Sequence, residues 1–182
     1  MRLLSWNVRG LGSLVKRRRV GEVIRKHRFD MALLQESKLK ELIPSMVAGM
    51  WYSDGFEFSF SPSVGASGGI LAIWEGDRFV LESVEIERHF VMLHGRWKHE
   101  DMVCCFMVVY APCEVSEQEG LWLRLVTAID SYSGPWCVVG DFNAVLRPSE
   151  RAGCSSLSRG MTSFVSFVND ACLIDFPLRG KL

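Results

Sequence analysis

The sequence predicts an α/β fold, and three observations carry that prediction. The chain opens with a short apolar strand, an amphipathic helix and a second apolar strand. Its middle holds a succession of short alternating or apolar runs separated by turn residues, and it then returns to a helix that leads into one more apolar strand. A strand–helix–strand crossover makes parallel neighbours, whereas consecutive strands with short turns pair antiparallel. Both occur here.

Taken in order, Arg2 to Trp6 is the first strand and delivers Asn7 to a loop containing Gly10 and Gly12. Val20, Val23, Ile24 and His27 then follow the i, i+3, i+4, i+7 spacing of a helix with its basic residues outward. Met31 to Leu34 is a second buried strand, ending at Gln35-Glu36-Ser37, so Asn7 and Glu36 should stand side by side at the carboxyl ends of parallel strands. Phe56 to Phe60 alternates strictly, Ser61 to Gly69 reads as a Gly-rich loop, and Ile70 to Trp74 resumes as a strand. Phe79 to Ile86, Phe90 to Trp97 and Met102 to Tyr110 continue what reads as one antiparallel meander. Ser116 with Glu119 predicts a capping box for a helix whose buried stripe is Trp122, Leu125, Val126 and Ile129. Gly134-Pro135 ends it, and Trp136 to Val139 is the next strand. Ser158 can cap a last helix with the stripe Met161, Phe164, Val165, Val168 and Cys172, and Leu173 to Phe176 reads as the start of another strand. No linker, low-complexity tract or fixed repeat interrupts the chain, so the expectation is a single domain over residues 1–182.

Composition sets limits on function. The chain has 182 residues, 48% of them hydrophobic, enough for a large ordered core. The apolar run Met102 to Pro112 is far too short to cross a bilayer, and the N-terminus lacks the apolar length of a secretory signal. No membrane role and no obligate protein partner are expected. The six cysteines show no C-x-x-C spacing and read as reduced, buried thiols of an intracellular protein. Net charge is zero, but residues 1–41 hold 11 Lys or Arg against 4 Asp or Glu, and residues 42–182 hold 10 against 17. The basic excess centres on Lys16-Arg17-Arg18-Arg19, a docking face for a polyanion or simply a solvated helix surface. The same tetrad fits a nuclear-localisation pattern, so a nuclear location is expected.

Gly140-Asp141-Phe142-Asn143 follows an apolar strand directly, which sets a carboxylate and a carboxamide on one side of the sheet rim. The carboxylate can orient or deprotonate a water and the amide can hold a phosphate oxygen. The competing reading is an Asx turn in which both bond nearby backbone. Glu36 with Asn7 offers the few hard oxygen ligands that Mg²⁺ takes, with water and substrate phosphate completing its shell. Glu36 can equally be a strand-end carboxylate bonded to a helix N-terminus. Tyr110 can donate its hydroxyl to phosphate, or cap the core as an aromatic ring.

Together the motifs Ser5-Trp6-Asn7-Val8-Arg9-Gly10, Leu34-Gln35-Glu36-Ser37-Lys38, Ser67-Gly68-Gly69, Val109-Tyr110-Ala111-Pro112 and Gly140-Asp141-Phe142-Asn143 resemble the endonuclease/exonuclease/phosphatase superfamily. More narrowly, the chain is similar to the apurinic-type endonuclease domain of plant LINE-type, non-LTR retrotransposons, including the segment Leu173 to Gly180. The resemblance implies a four-layer α/β sandwich of two packed β-sheets flanked by helices. It also implies Mg²⁺-dependent cleavage of DNA phosphodiesters, with Mn²⁺ as the alternative ion. It assigns Glu36 as principal metal ligand, Asn7 as support for metal and phosphate, and Tyr110 as a phosphate contact. Asp141 becomes the water-activating base and Asn143 the group that orients water or phosphate. Arg9, Lys16, Arg17 and Arg18 are candidate nucleic-acid contacts, without a family match. Family members also carry a later metal-site Asp and a Ser-Asp-His; no histidine follows Asp141 here, since the four are His27, His89, His94 and His99. The expectation is a domain truncated at its C-terminus, without its last strands, whose hydrolysis is weak or lost. Removing one such electrophilic group costs about 10²- to 10³-fold in rate. A phosphatase of the same superfamily and an inert nucleic-acid-binding module are the alternatives.

Overall fold

The computed structural model describes residues 1–65, 67–151 and 156–176. They fall into two compact units, Met1–Ala111 with Gly134–Asn143, and a second drawn from Pro112–Ser133 and the residues after Asn143.

The first unit is an α/β sandwich. Its elements are β1 (Leu3–Asn7), α1 (Leu14–His27), β2 (Met31–Gln35), α2 (Pro44–Ala48), β3 (Phe56–Val64), β4 (Ser67–Glu75), β5 (Phe79–Ile86), β6 (Phe90–Trp97) and β7 (Met102–Tyr110). After the intervening α3 (Val115–Asp130), β8 (Trp136–Asp141) returns to the same unit. Two four-stranded sheets result, ordered β1-β2-β4-β3 and β5-β6-β7-β8. β1 runs parallel to β2, as the crossover through α1 requires, and β8 runs parallel to β7; the remaining pairs are antiparallel. The expected single meander is therefore split. β3 and β4 form a hairpin in the first sheet, and the chain moves to the second at Gly76, where β5, β6 and β7 form the meander proper.

Alternation explains the sandwich. Met31, Leu33, Ile70, Ala72 and Trp74 of the first sheet face Phe79, Val91, Leu93, Phe106 and Val108 of the second in one buried core. Phe79 is its hub, meeting Phe106 edge-on at 5.3 Å and Trp74 edge-on at 6.0 Å. The opposite face of the first sheet offers Ala32, Leu34, Leu71 and Ile73, which Val20 and Ile24 of α1 cover together with Val47, Met50 and Trp51. β2 and most of β4 are consequently buried on both faces, which is why they read as continuous apolar runs. Gly21 occupies the buried stripe of α1 where His27 was expected; His27 is exposed.

In the second unit α3 packs on α4 (Arg159–Asp170), with Trp122 stacked on Phe167 at 5.1 Å and close to Phe164. Ser158 caps α4 by accepting from the Met161 N–H, as its sequence predicts. The capping box of α3 does not form: the helix begins one residue before Ser116, its N-cap is Glu114, and Glu119 instead pairs bidentately with Arg159 at 2.7 and 2.8 Å. Phe167 replaces Val165, Val168 and Cys172 in the buried stripe of α4.

Further expectations change. The Gly-rich loop is mostly ladder, because β3 runs on to Val64 and β4 starts at Ser67. No strand forms over Leu173 to Phe176, where Ile174 and Phe176 are largely exposed; the rest of that motif, 177–180, lies outside the described residues, as does Cys154. Cys104 and Cys105 are buried free thiols, but Cys113 and Cys172 are exposed ones. No helix among the described residues is long and apolar enough to cross a membrane.

Candidate functional site

The parallel pairs β1/β2 and β7/β8 end at one rim of the sandwich, and each delivers a polar residue there. Asn7 closes β1 opposite Gln35, with Glu36 next in the chain; Tyr110 closes β7 directly opposite Asp141, the last residue of β8. The two sheets meet through these side chains. Asn7 Nδ2 donates to Asp141 Oδ2 at 2.6 Å, across 134 residues of sequence, and the same amide helps hold the Glu36 carboxyl pKa down. Asn7 Oδ1 accepts from the Arg9 N–H at 3.1 Å, which fixes the amide's orientation. One carboxamide thus ties the end of β1 to the end of β8.

Backbone geometry holds the arrangement in place. Arg9, Glu36, Lys38 and Asn143 all have positive φ, between 49° and 57°, an uncommon conformation for side-chain-bearing residues that gathers at functional sites. Their strain is supported by an extension of the ladder beyond the strands. Gly10 N–H donates to the Glu36 carbonyl at 2.7 Å, Leu11 N–H to Ser37 at 2.7 Å, and the Ser37 and Lys38 N–H groups to Gly69 and Gly68 at 2.9 and 3.0 Å. Gly69 has to be glycine: φ is +84° and a Cβ would overlap Ser37 Oγ. Gly140 is constrained in the same way, since its Cβ would fall on the Val109 carbonyl of β7. That close approach brings Asp141 out beside Tyr110.

Electrostatics favour the ionised form of Glu36. Burial pushes its carboxyl up, but the Lys38 ammonium at 2.8 Å, the Asn7 amide and the positive charge of Arg9 outweigh burial, so the pKa lies below the ordinary carboxylate value. Asp141 takes the Asx-turn form of its motif. Its Oδ1 accepts from the Asn143 N–H at 3.1 Å, which is an Asx turn, while Oδ2 takes Asn7. Asn143 Nδ2 donates to the Ala111 carbonyl at 2.7 Å. Tyr110 is half-buried with its ring against the inter-sheet core.

The basic candidates separate. Arg9 is exposed beside Glu36. Lys16 Nζ donates to the Arg9 carbonyl at 2.7 Å, and Arg17 to the Leu11 and Gly12 carbonyls at 2.8 and 3.0 Å, so both fasten the loop carrying the rim. Arg18 stands exposed on α1. Two rim residues escaped the sequence reading: Lys38, although it lies in the Glu36 motif, and His89, whose Nδ1 approaches the Tyr110 carbonyl at 3.1 Å. The strand-end position of His89, opposite Tyr110, is the signal that marks it.

Among the described residues no three His, Cys, Asp or Glu side chains converge as a metal cluster. The hard oxygens of Glu36 and Asn7, with a second lone pair left on Asn7 Oδ1, nevertheless fit an ion that keeps most of its shell for water and phosphate.

A model of the endonuclease/exonuclease/phosphatase family matches residues 4–173, which contain every one of these rim residues. The chain belongs to that family. Its members are metal-dependent nucleases and phosphatases. Solved structures with the same fold include a 3'-5' exonuclease from Neisseria meningitidis (TM-score 0.71, 17% identity, 93% of this chain and 71% of that one). An AP endonuclease from Leishmania major (0.70, 17%, 93% and 66%) and a mannosyl-6-phosphatase from Bacteroides thetaiotaomicron (0.64, 13%, 91% and 70%) share it too. At these identities the likeness is one of fold, and the chain spans about two thirds of the length of these proteins. No curated protein sequence matches it.

Proposed function

We propose that the rim hydrolyses DNA phosphodiesters with Mg²⁺, Mn²⁺ being able to replace it, and that the chain is the endonuclease domain of a LINE-type element. The observation that carries this reading is the Asn7–Asp141 hydrogen bond, which ties the Asp141 carboxylate of one sheet to the strand ends of the other, where Asn7 stands opposite Gln35 and Glu36 follows. In it Glu36 and Asn7 hold the ion, which supplies Lewis-acid polarisation of the phosphate. Asp141, oriented through both oxygens, takes the proton of the attacking water, and Asn143 lies beside that oxygen pair to position water or phosphate. Tyr110, opposite Asp141, donates its hydroxyl to a phosphate oxygen. Arg9 and Arg18 meet the nucleic-acid backbone, with Lys16 and Arg17 holding the loop that presents Arg9.

Substrate class is decided by competition. Supercoiled plasmid and small phosphomonoesters are offered together with Mg²⁺: the account expects plasmid nicking that EDTA stops and that the monoesters leave unaffected. Preferential monoester hydrolysis would make the chain a phosphatase.

A further inference from the structure

We infer that Lys38 competes with the divalent ion for Glu36 and, once displaced, becomes a phosphate-binding group, so that metal and nucleic acid bind cooperatively. The inference rests on the proposed reading of Glu36 as the metal ligand. Lys38 Nζ stands 2.8 Å from Glu36 Oε1, a direct ion pair on the very carboxylate assigned to the metal. Two cations on one carboxylate repel each other, and the divalent one holds the stronger claim. What can yield is the lysine side chain alone. Its backbone is fixed by the hydrogen bond to Gly68 and by a left-handed φ of 55°, whereas its side chain is 41% exposed and carries a compact charge on a flexible stem.

The surroundings say where the released ammonium goes. The stem lies over Gly10, where an added Cβ would stand 3.5 Å from Lys38 Cδ and 3.7 Å from Lys16 Nζ, so two lysines share this lip of the rim with Arg9. Lys16 is already held by the Arg9 carbonyl, which leaves Lys38 as the cation of this pair that gains freedom. A phosphate of the substrate is the partner of matching charge. Coupling of this kind is reciprocal: whatever factor the ion adds to DNA affinity, DNA adds to ion affinity.

The test is a Mn²⁺ titration read by electron paramagnetic resonance, and DNA affinity read by fluorescence anisotropy with and without Mg²⁺ at fixed ionic strength. Both use the whole chain and its Lys38→Met, Lys38→Gln and Glu36→Gln variants. Both Lys38 variants are expected to bind Mn²⁺ about fivefold more tightly than the parent, and the Mg²⁺-dependent gain in DNA affinity to be about fivefold larger in the parent than in either variant. Equal or weaker Mn²⁺ binding by the Lys38 variants, or a Mg²⁺ effect on DNA as large in them as in the parent, overturns the inference. Undiminished Mn²⁺ binding by Glu36→Gln overturns the metal-site reading itself.

Discussion

At the scale of single residues, the centre of the site is Asn7, whose amide reaches from the first sheet to the Asp141 carboxylate of the second. The lowered pKa of Glu36 carries a pH dependence whose sign is fixed. A carboxylate depressed on folding adds stability above its unfolded pKa and loses it as pH falls through the lower folded value. Acid titration of the parent should therefore show a component of destabilisation that begins near pH 4.5, the unperturbed value, and deepens below it; in Glu36→Gln that component is absent from the stability curve. Gly140→Ala should cost more than about 1 kcal/mol in chemical denaturation, because the new methyl meets the Val109 carbonyl and φ is +148°. Asn7, Glu36, Tyr110, Asp141 and Asn143 were all legible in the sequence as polar residues ending apolar runs. The left-handed turns at Arg9, Glu36 and Lys38 were not, since side-chain-bearing residues carry no glycine signal and are held there by hydrogen bonds from other segments. Lys38 carries no signal in the sequence for the same reason: its contact with Glu36 depends on that turn.

At the scale of elements, local pattern was reliable where packing agreed with it. The crossover β1–α1–β2 and the strands β5 to β7 follow from periodicity alone, and Ser158 caps α4 as its position predicts. Ser116 shows the failure, since helix α3 starts before it and Glu119 is drawn to Arg159 by charge. The two serines therefore separate in thermal or chemical denaturation: Ser158→Ala should cost about 1 kcal/mol, and Ser116→Ala should stay within about 0.5 kcal/mol of the parent. Phe79 to Tyr110 reads the same whether its strands continue the first sheet or start a second. Nothing local records which sheet a strand joins, and only the shared aromatic core of Phe79, Trp74 and Phe106 settles it.

At the scale of the whole molecule, the rim needs both sheets, so the core that holds them face to face supports the site as well as the fold. Phe106→Ala, inside that core, should cost about 3 to 5 kcal/mol in urea denaturation. Charge is also arranged at this scale, with a surplus of seven positive charges in residues 1–41. The most direct test of the central claim is the rate of supercoiled-plasmid nicking with Mg²⁺ by the chain and by Asp141→Ala. The account predicts slow, EDTA-sensitive nicking that falls by about 10²-fold or more in the variant, and equal rates in the two proteins would contradict it.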